Sequence, residues 1–406
     1  MKKFFDVIGN RLAAVRATRA PTGQSSAYRC ACGQPVFLGN RSCVTCGAPL
    51  GFDPNILEVR ALIPAEVAGT WHLAAPGDPD ESPQNPFIDP TPAAQATFRR
   101  CANFETVAAC NWLVPTTDAD IFCVSCRLNK LIPDLSLVDN QARWRKLEIA
   151  KRQMVAQLLT LGLEVRPQRT PGDGGLAFEL IGPDMNGKLP LTGHDAGLIT
   201  INVLEADDPY RAKLREDMNE PYRTLLGHFR HEVGHYYWDR LVLPGPWLAP
   251  FREVFGDERA DYSEALKRNY ENGPPADWAQ RFISTYAACH PWEDWAETWA
   301  HYLHMMDTLD TAINLGISTR AVERDYVSFE REVLYAPDAP DADSFLDLVN
   351  AWVELTGVLN ELSRSMGQRD FYPFVLPHAV VGKLQFVHRV VKAYSVESSA
   401  PVTPAF

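Results

Sequence analysis

No run of eighteen apolar residues occurs in this 406-residue chain, so no transmembrane helix is expected. Positive charge is scarce: 39 Lys and Arg stand against 51 Asp and Glu, a net charge of −12. Such an acidic chain is a poor general ligand for nucleic acid or an anionic membrane. A convincing signal peptide is also missing. The start, MKKFFDVIGNRLAAVRATRAP, has its apolar stretch broken by Asp6, Asn10 and Arg11. The expected compartment is therefore the cytoplasm, where thiols stay reduced and the nine cysteines are not read as disulfides. No period of 20–50 residues repeats along the chain, which excludes a solenoid.

What is present separates into regions. Residues 1–20 form a basic tail. Over the first fifty residues Lys2, Lys3, Arg11, Arg16, Arg19, Arg29 and Arg41 face only Asp6, which reads as a solvated tail open to weak contact with an acidic partner. Residues 21–140 hold eight of the nine cysteines and the run APGDPDESPQNPFIDPTP, a pattern of turns between short strands. Residues 141–395 hold nine of the ten histidines and most of the helical periodicity, and 396–406 is a tail. Within 141–161, Trp144, Leu147, Met154, Leu158 and Leu161 mark an amphipathic helix. GLAFELIG and GLITINVLEAD read as strands, and the second has the character of an edge that could pair with extended substrate or of a buried central strand. Pro221 suits the first turn of a helix running to about Arg240. Further helices are expected near 250–272, 291–311, 318–332, 342–360 and 377–394. The fold class is α+β: a cysteine-rich region of short strands, then a mainly helical lobe with a small sheet.

The cysteines fall in two clusters. Cys30 and Cys32 are followed by the pair Cys43 and Cys46, with Gly33 and Gly47 after each pair. Glycine lets the chain curl so that backbone amides face a thiolate. Cys101 and Cys110 precede the pair Cys123 and Cys126 at wider spacing. Each set suits a closed tetrahedral structural zinc, although cysteines exchanged between the sets would fit the sequence as well. No strand–motif–helix pattern of thioredoxin type surrounds the CxxC pairs, which counts against redox chemistry. A metal staple suits a proline-rich segment with a small core, and the ribbons also offer a surface for a protein partner.

The chemistry concentrates in TLLGHFRHEVGHYYWDRL. His231 and His235 lie four apart, on one face of a helix, so both imidazoles can meet one ion. Glu232 beside them can take a proton from an attacking water. His228, one turn earlier, reads as a packing or supporting residue. A catalytic zinc needs a third protein ligand and an open position. FGDERADYSEAL offers Asp257, Glu258 and Asp261, and YAACHPWEDWAETWAHYLH offers Glu293 and Glu297. Glu293 is favoured, because Glu297 one turn on can then accept a hydrogen bond from a ligand imidazole while Trp292, Trp295 and Trp299 anchor the helix. His301 lies roughly 12 Å along that helix, too far to share the ion. His301 and His304 are therefore structural, and Cys289 is a buried, inert thiol.

The segment from Tyr286 to Trp295 resembles the third-ligand segment of MtfA-like and lethal-factor-like gluzincins. Those carry a tyrosine seven residues before a liganding glutamate, followed by two aromatic residues and alanine; here Asp294 stands at the first aromatic position. The whole chain resembles a bacterial family of zinc-binding metallopeptidases with an N-terminal zinc ribbon. The shared pattern is CxC…CxxCG, RRCxNF…CNWLVP…CxxC, GLITIN, YRTLLGHFRHExGHYYWD and EDWAETWAHYLH. The resemblance implies a zinc peptidase with ligands His231, His235 and Glu293, general base Glu232 and electrophilic partner Tyr286. Its substrate would be a peptide or protein, with one catalytic and two structural zinc ions. The rival reading is a catalytically silent protein-binding module, and the net charge counts against a third, nucleic-acid-binding one.

Overall fold

The computed structural model describes residues 28–75, 77, 96–183, 186–190, 192–217, 220, 222–317 and 327–399. The expected basic tail, most of the proline-rich run, Pro221, residues 318–326 and residues 400–406 lie outside them. Contacts divide the chain into two compact units. One comprises Thr22–Thr160 and Glu164–Arg211, and the other includes Leu161–Leu163 and Ala212–Phe406. Short strands lead in chain order, and a helix-rich lobe with a small mixed sheet follows, as expected for a zincin-like architecture.

In the first unit β1 (Tyr28–Arg29) pairs antiparallel with β2 (Pro35–Val36). An antiparallel sheet then runs in sequence order through β3 (Leu50–Asp53), β4 (Glu58–Pro64), β5 (Thr70–Leu73), β6 (Phe98–Arg100) and β7 (Leu113–Pro115). Alternation does the folding here: Val59 and Ala61 of β4 point inward while Glu58 and Arg60 do not. Leu62, Phe98 and Leu113 form a core with Trp71 and Leu73. The sheet curls on itself, so that Phe52 N–H bonds the Asn111 carbonyl at 2.9 Å and the Phe52 and Trp112 rings meet at 4.5 Å. Gly51 permits that closure, because a Cβ there would sit 2.6 Å from Leu113 Cδ2. The cysteines lie in the stretches before β3, between β6 and β7, and after β7.

The same unit contains β8 (Asn129–Leu131), α1 (Val138–Thr160), β9 (Ala177–Ile181), β10 (Gly193–Asp195) and β11 (Leu198–Asn202), and α2 (Asp208–Asp217) spans the division after Arg211. The sheet order is β10-β11-β9-β8, with β9 parallel to both neighbours and β10–β11 an antiparallel pair. Both expected strands form. GLITIN, however, is an interior strand bonded on both sides, so it has no free edge for a peptide. Helix α1 buries Trp144, Leu147, Met154 and Leu158 as its periodicity predicts. Its fully buried Lys151 is 2.7 Å from Glu148, which also accepts from Asn129 of β8 at 2.9 Å and lies 3.8 Å from Arg152.

The second unit is helical: α3 (Leu225–Tyr237), α4 (Leu248–Val254), α5 (Tyr262–Asn272), α6 (Trp278–Arg281), α7 (Pro291–Asn314), α8 (Ala342–Ser365) and α9 (His378–Ser399). Thr224 caps α3, its hydroxyl accepting from Gly227 N at 2.9 Å, so the helix starts later than Pro221 suggested. A π-helical turn over Trp238–Val242 extends it. The helix expected over 250–272 is two helices, broken where Gly256 takes φ 105°, a conformation closed to other residues. Of the helix expected over 318–332, the described part has no regular structure apart from one 3-10 turn at Arg331–Val333. Trp295 and Trp299 anchor α7 in the core, fully buried. Trp292 instead lies half-buried over the His235 ring, centroids 3.9 Å apart. Among the described residues no helix is long and apolar enough to cross a membrane.

Candidate metal centres

Three groups of donors converge among the described residues. In the first cysteine cluster Cys30 and Cys46 sulfurs are 3.6 Å apart, and those of Cys32 and Cys43 are 3.7 Å apart. In the second, Cys110 and Cys123 sulfurs are 3.7 Å apart, with Cys101 and Cys126 completing the group. A disulfide would need about 2.05 Å. Four thiolates at zinc–sulfur distances would stand about 3.8 Å apart, close to what is found. The clusters do not exchange cysteines. Gly33 and Gly47 hold φ 81° and 73° behind the pairs, as the turns require. The residues fit one structural zinc per cluster.

The third group builds on α3 and α7, which cross at Gly234. A Cβ on Gly234 would approach Ala296 Cα and Trp299 Cδ1 to 3.1 Å, so only glycine lets the helices come this close without displacing them. Trp295 Nε1 donates to the Gly234 carbonyl at 2.8 Å and fixes the register. Within α3 the four-residue spacing already sets His231 Nε2 and His235 Nε2 3.2 Å apart, and the register brings Glu293 to them. Glu293 Oε2 lies 3.0 Å from the first and 3.4 Å from the second. Donors around a tetrahedral zinc would be separated by about 3.3 Å, so the triangle fits the ion. Glu293 Oε2 is buried and accepts no hydrogen bond from any other group among the described residues. This is an HExxH-plus-glutamate metal site of the gluzincin type.

Hydrogen bonds set the tautomers. His231 Nδ1 donates to Glu297 Oε1 at 2.7 Å, leaving Nε2 as the donor to a metal. Ser284 Oγ donates to Glu297 Oε2 at 2.6 Å, so the expected partner of the imidazole is itself held. Burial raises Glu232 above the ordinary carboxylate range, with the two imidazoles pulling the other way. Burial and the negative charge of Glu293 push Tyr286 upward, which keeps its phenol protonated. Its ring lies 5.9 Å from that of His231.

The rival ligands are engaged elsewhere. Glu258 accepts from Arg252 Nε at 2.9 Å, and Asp257 from Arg259 at 2.8 and 2.7 Å. His228 is not one of the converging donors. His301 Nδ1 pairs with the Tyr372 hydroxyl at 2.7 Å, and His304 Nδ1 accepts from Arg230. The segment around Tyr372 therefore packs on α7, with the Tyr372 ring also against Trp352 of α8. Cys289 is buried outside both clusters, and burial raises its thiol. Asp294 is fully buried and pairs with Lys383 Nζ at 2.6 Å, which explains an acid where the resembling segments carry an aromatic residue.

Sequence reasoning passed over three residues: Gly234, Ser284 and Tyr262. Tyr262 donates to Glu293 Oε1 at 2.6 Å. Its segment draws attention by its acids, and nothing local marks a tyrosine whose partner lies 31 positions away.

Comparison with known proteins follows the same lines. Residues 140–390 match a family model described as "Putative zinc-binding metallo-peptidase", and residues 27–137 match a zinc-ribbon domain. Uncharacterized proteins of Mycobacterium bovis and Mycobacterium tuberculosis are 39% identical over 361 residues, covering 89% of this chain and 93% of theirs. No solved structure matches.

Proposed function

Because the chain belongs to this family of zinc-binding metallo-peptidases with a zinc ribbon, we propose that it hydrolyses peptide bonds in a peptide or protein substrate. The observation that carries the reading is the meeting of His231, His235 and Glu293 donors beside a buried Glu232. Zinc held there supplies Lewis acidity and brings the pKa of water toward neutrality. Glu232, its pKa raised by burial, accepts the proton of the attacking water and delivers it to the departing amine. The protonated Tyr286 hydroxyl donates to the oxygen on which charge develops. Glu297 keeps the His231 ring in one orientation throughout. Glu232 is buried beside both imidazoles and, among the described residues, makes no side-chain hydrogen bond comparable to those of Glu297, which favours chemistry over a silent shell. The same reading places the enzyme in the cytoplasm and leaves the cysteine-rich unit free to dock a protein partner.

Digestion of casein or a peptide library, with and without chelator, tests this. Glu232→Gln should keep its full zinc content and lose roughly 10²–10⁴-fold in rate. Undiminished cleavage by that variant, or no cleavage by fully zinc-loaded wild type, would end the proposal.

A further inference from the structure

The two oxygens of Glu293 have different surroundings. Oε2 faces both imidazoles, at 3.0 and 3.4 Å. Oε1 accepts the Tyr262 hydroxyl at 2.6 Å. Carboxylates bind cations through one oxygen or both. A glutamate that presented both here would fill the position that a catalytic site keeps open.

The tyrosine is placed by dedicated contacts. Gly256 turns the chain after α4, and Tyr262 is the first residue of α5. His290 Nε2 donates to the Ala260 carbonyl at 3.1 Å, because a carbonyl can only accept. Its Nδ1 accepts from Trp292 N at 3.1 Å and so caps α7. One neutral imidazole thus ties the loop that leads into Tyr262 to the first turn of the helix that carries Glu293. The Tyr262 ring packs edge-on against His290 at 5.3 Å and Trp292 at 6.0 Å. Trp292 in turn covers His235.

We infer that Tyr262 is a positioning residue for the metal centre: its hydroxyl occupies Oε1 of Glu293, so that only Oε2 is offered beside His231 and His235 and a position stays open for chemistry. The inference rests on the peptidase site proposed above. The Tyr286 hydroxyl lies beside that of Tyr262 and is assigned to the substrate side.

The test is Tyr262→Phe in the full chain, which keeps the ring and its packing and removes only the hydroxyl. Zinc affinity, read by competition with a chromogenic chelator, should fall roughly 10- to 100-fold at the histidine site. The visible absorption of the cobalt(II)-substituted variant should weaken as the carboxylate gains freedom to bind through both oxygens. The apo variant should melt within a few degrees of apo wild type. Tyr262→His, with a ring and an N–H donor, should recover part of the affinity. It also serves if the phenylalanine variant fails to fold, since a folded histidine variant with no zinc at this site would then count against the hydroxyl. Unchanged affinity and spectrum in Tyr262→Phe, or equal losses in both variants, would overturn the inference. A wild type that binds only the two ribbon zincs would remove the peptidase reading as well, so the two failures are distinguishable.

Discussion

His231 and Glu297 are joined by a 2.7 Å hydrogen bond from Nδ1 to Oε1, across 66 positions of sequence. The bond fixes which imidazole nitrogen is left for a metal, and it is backed by Ser284 on the other carboxylate oxygen.

Glu297→Ala should therefore weaken zinc binding roughly 10- to 100-fold without removing any ligand. Ser284→Ala, which leaves the carboxylate in place, should have a smaller effect in the same direction. Chelator competition measures both, and wild-type affinity in Glu297→Ala would show that the contact is incidental.

Gly234→Ala sets two effects against each other. Alanine favours a helix by about 1 kcal/mol over glycine. The added methyl meets the Ala296 backbone and the buried Trp299 ring at 3.1 Å, and overpacking costs about 1–3 kcal/mol. The Ala296 backbone cannot yield within a packed helix, so a net loss of stability is expected, visible as a lower melting temperature. A stabilised variant would mean that α3 and α7 separate easily.

Cys110→Ser tests the second cluster, where the thiol is fully buried. Metal analysis should show zinc falling from three ions per chain to two, matching the three donor groups less one. Limited proteolysis should then open the strands around it first, because a structural zinc contributes folding energy directly. Retention of three zincs would place the third ion elsewhere.

His388 on α9 gives the stability a pH dependence. Burial lowers its pKa from 6.5 to about 4, with Asp341 raising it and Lys392 and Arg389 lowering it. Its Nδ1 is 3.1 Å from the Tyr302 hydroxyl, and its ring packs on Phe345. The folded protein thus binds the proton less readily than the unfolded chain. The contribution is complete above about pH 6.5, is lost as pH falls from there toward about 4, and is flat below. Its full size is on the order of 3 kcal/mol. Denaturant melts of His388→Gln should be less steep over that window. Identical slopes in both proteins would show that His388 does not carry the dependence.

Much of the site was legible because its signals are local. HExxH spacing places two imidazoles on one helical face whatever surrounds them, and pairs of cysteines with trailing glycines declare their turns. Trp295 and Trp299 were legible as core, whereas Trp292 looked identical in sequence and covers a ligand ring instead. GLITIN declared a strand by its residue types. Whether that strand is interior or an edge depends on β10 and β9, which its own residues do not encode.

The amino-acid sequence alone determined the inventory: two cysteine quartets, two histidines one turn apart and an acid between them to serve as base. The tertiary structure decided which distant carboxylate joins the histidines: the sequence favours Glu293 over Glu258, but only folding pairs the one with His231 at 3.0 Å and the other with Arg252. It also decided that Tyr262 and Ser284 hold the acids in place. Short-range spacing survives in any fold, but contacts between segments tens of residues apart exist only once helix packing has brought them together.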